Sequence, residues 1–202
     1  QLYRSRGCAA CNHSGYHGRI GIFEMMLVDD EIRAIICPDK INSEEWIEAH
    51  RTAHGVGIAS NITIMFGSIE RPEHWVRHLL RCRDLQEETG GFTEFVGLPF
   101  VHMASPIYLQ RKARRGPTFR ENLLMHSVAR IAYHGLIDNI QASWVKIGFD
   151  GVRQLLQAGV NDLGGTLMDE NISRAAGAQH GQQVRQEGIL GPGAFIGEIA
   201  SG

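Results

Sequence analysis

Two sets of residues in this 202-residue chain have side chains and spacings suited to chemistry. Near the start, Cys8-Ala-Ala-Cys11 has the spacing of a soft-metal ligand pair. A structural zinc takes four ligands, usually two such pairs. His13 and His17 would complete a tetrahedral set by spacing alone; otherwise Cys8 and Cys11 are half of a site. Farther along, polar groups stand at or just after apolar, β-branched runs: Glu70, His102, Gln141, Lys146, Asn161, Thr166 and Glu170. Buried polar groups at strand ends must find partners, and in α/β folds those partners are often ligands. Lining a small-molecule site is therefore the function expected of them. Glu70 and Lys146 also read as a solvated surface pair, Trp144 as core, and Gly164-Gly165 as a close-packing turn.

The elements that must position these groups follow a rhythm. Ser43 reads as the N-cap of a helix that stops near Gly55. Ile58–Phe66 is a strand pattern. Arg71–Thr89 has helical periodicity and ends at Gly90-Gly91. Phe92–Phe100 is a second strand, Phe119–His134 a helix ended by Gly135, and Ile137–Ile147 a third strand. Phe149–Ala158 is a helix, Val160–Leu167 a fourth strand, and Asp169–Ala176 a last helix. Strands alternating with helices at this spacing predict right-handed βαβ units and a parallel sheet. The fold class expected is α/β, a partial (βα) barrel of about four parallel βα units with small irregular ends. Such a piece leaves open strand edges and an uncovered apolar face, so a complementary half or self-association is expected. His50, His54, His74, His78 and His126 fall on helices and are expected to be structural or solvent-facing.

Composition sets bounds. Hydrophobic residues make up 43% and charged residues 21%, a globular balance. The formal net charge of −2 lacks the basic excess of a nucleic-acid binder. No apolar run approaches the roughly 20 residues of a membrane span. The four cysteines are too few for a disulfide framework, so a reducing, cytoplasmic setting is expected. The chain opens on Gln1, which fits a fragment or processed product.

Between about Asp29 and Gln182 the residues resemble a known family. Ile36-Cys37-Pro38-Asp39-Lys40, Thr52-Ala53-His54, Thr63-Ile64-Met65-Phe66-Gly67 with Glu70, and Gly90-Gly91-Phe92-Thr93-Glu94-Phe95-Val96 fall in order. Pro99-Phe100-Val101-His102, Ile140-Gln141-Ala142-Ser143-Trp144-Val145-Lys146 and Asn161-Asp162-Leu163-Gly164-Gly165-Thr166-Leu167 follow. The block closes with Glu170, Arg174-Ala175-Ala176-Gly177-Ala178 and His180-Gly181. This region resembles the C-terminal half of a radical S-adenosylmethionine, TIM-type barrel enzyme of the FO synthase family. The resemblance implies transfer of a tyrosine-derived 4-hydroxybenzyl group to 5-amino-6-ribitylaminouracil in deazaflavin coenzyme synthesis. Menaquinone-pathway relatives share much of the pattern. It also implies S-adenosylmethionine and a four-iron–four-sulfur cluster as cofactors, and adds Ser143 and Asp162 to the expected lining. The cluster needs three thiolates spaced C-x-x-x-C-x-x-C. Cys8, Cys11, Cys37 and Cys82 do not provide them, so the chain alone is expected to be inactive. Two departures from the family pattern stand at the expected site end: Ser68 where an imidazole is usual, and Gly97 where a proline is usual.

The ends resemble other families. Residues 1–28, with Cys8-x-x-Cys11 and Gly15-Tyr16-x-Gly18-Arg19-x-Gly21, resemble the zinc-module entry of type II secretion and type IV pilus ATPases. No G-x-x-x-x-G-K-[ST] loop is present, so ATP hydrolysis is excluded. Residues 183–202, with Gly191-Pro192-Gly193 and Gly197-Glu198, resemble the opening of a cyclic-nucleotide phosphate cassette without its arginine. The organisation expected is 1–28, 29–182 and 183–202, a composite chain. A non-catalytic metal-binding or interaction module, or a chimera without function, is the alternative to the transferase.

Overall fold

The computed structural model describes residues 41–163 and 177. The first described helix, α1, spans Ser43–Gly55. Its N-cap is Asn42 rather than the expected Ser43: the Asn42 side chain accepts from Glu45 N, and the Glu45 carboxylate accepts from Asn42 N. This reciprocal pair satisfies two amides that the helix start leaves unpaired. β1 (Ser60–Phe66) follows, then α2 (Pro72–Thr89). α2 stops where Gly90 takes a left-handed φ of 63°, a conformation glycine adopts without steric cost. β2 spans Phe92–Pro99 and α3 Pro106–Leu109. α4 spans Phe119–Ala132, opened by a second capping box between Thr118 and Glu121. β3 is Asn139–Ala142, α5 Trp144–Ile147 and α6 Phe149–Leu156.

The three strands form one parallel sheet in the order β1-β2-β3. The architecture is α/β, in agreement with the strand–helix alternation. The third strand is shorter than expected. The run Ile137–Ile147 turns helical at Trp144, because Trp144 and Val145 bury themselves in a small cluster with Val152 of α6. Of the expected fourth strand, the described residues hold one parallel bridge, Gln141 to Asp162. Residues 164–176, including the expected last helix, lie outside the described residues.

The core lies on one face of the sheet. Ile62, Ile64 and Phe66 of β1, Phe92 and Phe95 of β2, and Ile140 and Ala142 of β3 meet α1, α2 and α4 there. Each of the larger side chains contributes roughly 2 kcal/mol by leaving water. On β1 the alternate residues Asn61, Thr63 and Met65 point the other way. That second face is not simply apolar, as a bare half-barrel was expected to be. Glu94 crosses it, accepting from Asn61 Nδ2 at 3.3 Å and from Gln141 Nε2 at 3.1 Å.

Gly97 shows how tightly β2 meets α4. A Cβ there would stand 2.8 Å from Nε2 of the buried His126 ring, which is clamped by its Nδ1 donating to the Asn122 carbonyl at 2.7 Å. Gly97→Ala therefore overpacks the core. Chemical denaturation of the variant should show a loss of about 1–3 kcal/mol; an unchanged midpoint would mean the ring moves aside freely.

Candidate functional site

In parallel βαβ units each helix runs back against its strand, so strand carboxyl ends and helix starts share one end of the sheet. That end is built by Gly67–Glu70 after β1, Phe100–His102 after β2, Ser143 after β3, and the first turn of α4. The long β2–α4 connection covers it. Arg114 N donates to the Ser68 carbonyl at 3.0 Å, and Gly67, at φ 94°, lies so close to Pro117 that a Cβ would collide with its ring. Arg114 also pairs with Glu121 at 2.9 Å and lies over the Trp75 ring.

Glu70 holds this corner together from inside. It is 5% exposed, so it is not half of a solvated pair with Lys146. Its carboxylate accepts from Gly67 N, from Ser68 N and Oγ, from Ile69 N, and from Trp75 Nε1. Burial by itself would raise its pKa. The hydrogen bonds from the Ser68 hydroxyl, Gly67 N and the Trp75 indole outweigh burial and hold it below the usual carboxylate value. Ser68, where the family usually has an imidazole, is buried and spends its hydroxyl on Glu70 at 2.7 Å.

Beside this corner lies a cavity of about 260 Å³. Ten of the described residues line it, of which His102, Asn122 and Lys146 are polar and the rest apolar, including Pro99, Phe100 and Pro117. His102 is half-buried and its ring meets Tyr108 edge-on at 4.7 Å. Lys146 is half-buried on α5. Asn122 is 6% exposed; its Nδ2 donates to the Thr118 carbonyl at 3.0 Å, while its Oδ1 is buried with no hydrogen-bond partner among the described residues. Gly177, at φ 97°, comes up against Met103 on the rim. A larger hollow of about 780 Å³ runs along α1, where the described residues around it all belong to that one helix, so among the described residues no second element converges on it.

The other expected site residues are placed elsewhere. Gln141 is turned along the sheet face to Glu94. Ser143 is the residue before α5, and its carbonyl accepts from Lys146 N and Ile147 N at 3.1 Å. Asn161 is at the opposite, amino-terminal end of β3, where its Oδ1 accepts from Ile140 N and Arg130 Nη2 and its Nδ2 donates to the Asp138 carbonyl. Asp162 uses its backbone to extend the sheet, its carbonyl accepting from Ala142 N at 2.9 Å. Thr166, Glu170, Cys8 and Cys11 lie outside the described residues. The structure thus joins His102 and Lys146 in one cavity and adds Asn122, which the strand-end reading missed. Its position in the first turn of α4, just after Thr118-x-x-Glu121, is the signal that would have found it.

Cys82 is fully buried, with Sγ 3.7 Å from His78 Nε2. Burial pushes its thiol well above the usual range, and the neighbouring Tyr133 offsets this only in part. A neutral, enclosed thiol is not a cluster or metal ligand. Among the described residues no group of three or more His, Cys, Asp or Glu side chains is placed to hold a metal ion. No helix among them is long and apolar enough to cross a membrane.

Comparison with known proteins fits this geometry. The model of the CofH/MqnC C-terminal region matches residues 89–193, just over half of the chain. The model of the type II/IV secretion system protein matches residues 1–68. The FO synthase of Nocardia farcinica is 57% identical over 155 residues, 77% of this chain and 18% of the relative. The 5-amino-6-(D-ribitylamino)uracil–L-tyrosine 4-hydroxyphenyl transferase of Methanothermobacter thermautotrophicus is 49% identical over 173 residues, 86% of this chain and 47% of the relative. The transferase of the same description from Methanocaldococcus jannaschii is 51% identical over 163 residues, 81% of this chain and 45% of the relative. The chain spans from about a fifth to about half of the length of these relatives. With the match extending from the end of α2 through β2, α4 and β3, the chain belongs to the family of the CofH/MqnC C-terminal region.

Proposed function

We propose that this chain is the substrate-holding half of a barrel that transfers a tyrosine-derived 4-hydroxybenzyl group to 5-amino-6-(D-ribitylamino)uracil. The observation that carries the reading is the identity of about half the residues, over most of this chain, to transferases named for that pair of substrates. The cavity at the carboxyl ends of β2 and β3 supports it, since α/β barrels hold their ligands at that end.

The residues of this chain do not fit the iron–sulfur cluster that the resemblance implies. Cys82 is sealed in the core, and Cys8, Cys11 and Cys37 lack the triad spacing. S-adenosylmethionine cleavage is therefore not assigned to these residues, and the chain by itself is an inactive partner for a complementary half-barrel. What its residues do is bind and orient. The Lys146 ammonium offers a counter-charge to a carboxylate, the apolar walls exclude water, and the Glu70-centred corner fixes the loop carrying Pro117. Such fixing matters because misplacement of about 1 Å can cost on the order of a hundredfold in rate.

Isothermal titration calorimetry on the whole chain tests this reading. At least one of L-tyrosine and 5-amino-6-(D-ribitylamino)uracil should bind with Kd tighter than about 1 mM, roughly −4 kcal/mol. Heat-free titrations with both would overturn it.

A further inference from the structure

We infer that the cavity between β2, α4 and α5 is the pocket for the phenol-bearing amino acid, and that Asn122 reads its hydroxyl. This rests on the transferase reading above and assigns one of its two substrates to one place.

Three observations carry the inference. The first is the unpartnered Oδ1 of Asn122, a buried acceptor in a residue 6% exposed. An acceptor left unpaired in a protein interior costs about 1–3 kcal/mol, and such a group calls for a partner that arrives with a ligand. His126 holds the α4 turn carrying Asn122 in place through its 2.7 Å bond to the Asn122 carbonyl. The Thr118 carbonyl takes up Nδ2, so the oxygen is the half of the amide left without a partner among the described residues, on a residue that lines the cavity.

The second observation is the gradient of polarity. Asn122 is buried, whereas His102 and Lys146 are half-buried. Placing a charged ammonium against a deeply buried neutral oxygen would cost far more than placing a neutral hydroxyl there. A ligand with one neutral donor at its far end and charges at its near end therefore enters phenol first. Its carboxylate then lies toward Lys146.

The third is size and lining. A volume of about 260 Å³ with seven apolar residues of ten falls just below the roughly 300 Å³ where drug-sized sites begin. It suits one aromatic ring with a short polar head. A ribityl chain has several hydroxyls to satisfy, and the three polar side chains among the described lining residues cannot pair them all.

Titration calorimetry with the whole chain tests this through the ligand and through the protein. L-phenylalanine differs from L-tyrosine only in lacking the hydroxyl. Sites built to hydrogen-bond a ligand hydroxyl reject the analogue without it strongly, so phenylalanine should bind at least tenfold more weakly. Asn122→Ala should bring the tyrosine affinity down to that of phenylalanine and leave phenylalanine affinity within about twofold. Equal binding of the two amino acids to the unaltered chain overturns the inference, even if the variant fails to fold. Binding of 5-amino-6-(D-ribitylamino)uracil without tyrosine also overturns it while leaving the transferase reading intact. Binding of neither overturns both.

Discussion

Replacing Glu70 by alanine should destabilise the chain by about 3 kcal/mol or more. The carboxylate is 5% exposed and gathers donors from Gly67, Ser68, Ile69 and Trp75. Its removal strands them in a corner where each unsatisfied group costs roughly 1–3 kcal/mol, partly recovered as water enters. In a domain of this size that corresponds to a fall in Tm on the order of 10 °C. Glu70→Gln should fall between the two, since the amide keeps the shape but loses the charge that the backbone N–H groups prefer. Differential scanning fluorimetry of the three proteins checks the order. A Tm for Glu70→Ala within about 2 °C of the unaltered chain would mean that Glu70 does not clamp the corner. Because that corner positions Pro117 on the cavity wall, Glu70→Ala should also weaken ligand binding without touching ligand.

Mild acid should unfold the chain through its buried histidines. His50, His78 and His126 are each 2% exposed or less. Burial lowers all three below the ordinary value, and His78 falls to about 3. His78 has His50 as a like-charged neighbour on protonation, and its Nδ1 has no hydrogen-bond partner among the described residues. The sign follows from linkage. These groups take up protons more readily in the unfolded chain, near pH 6.5. Their contribution is complete above that pH and is lost as pH falls from about 6.5 toward the folded values. For His78 alone the loss at pH 4.5 is on the order of 3 kcal/mol, two pH steps at about 1.4 kcal/mol each. Below about 4.5 the depressed Glu70 adds its own loss in the same direction. Urea midpoints at pH 7.5 and 4.5 measure the effect, and His78→Leu should flatten the profile. Equal midpoints at the two pH values would contradict the neutral, buried state of these rings.

Much of this was legible in the residues. β1 and β2 stand out as β-branched, apolar runs, and Gly90 marks the end of α2 because only a left-handed residue closes that turn. Trp144 was expected in the core and lies there; of the helix histidines, expected to be structural or solvent-facing, His50, His78 and His126 are buried. Trp144-Val145-Lys146-Ile147 misled, because a short, mostly apolar run reads equally as strand or buried helix. Its burial against Val152 decided for helix. Strand-end polarity was an uneven guide to the site. It selected His102 and Lys146, which line one cavity. It also selected Glu70, which satisfies its own loop, and Asn161, which ties Arg130 to the far end of β3. A polar residue near a strand end serves the backbone as readily as a ligand, and only the partners tell the two apart. Asn122 escaped because it lies on a helix. The rule that helix starts share an end with strand carboxyl ends was the missing step.

Peptide-resolved hydrogen exchange with and without saturating L-tyrosine tests the central claim most directly. The transferase reading, with the cavity as the tyrosine pocket, predicts added protection confined to the end of β2 through residue 103, to the first turn of α4, and to α5. The amino-terminal end of the sheet around Asn161 and the outer face of α1 should be unchanged. Protection at α1 alone, or none anywhere at saturating ligand, would contradict it.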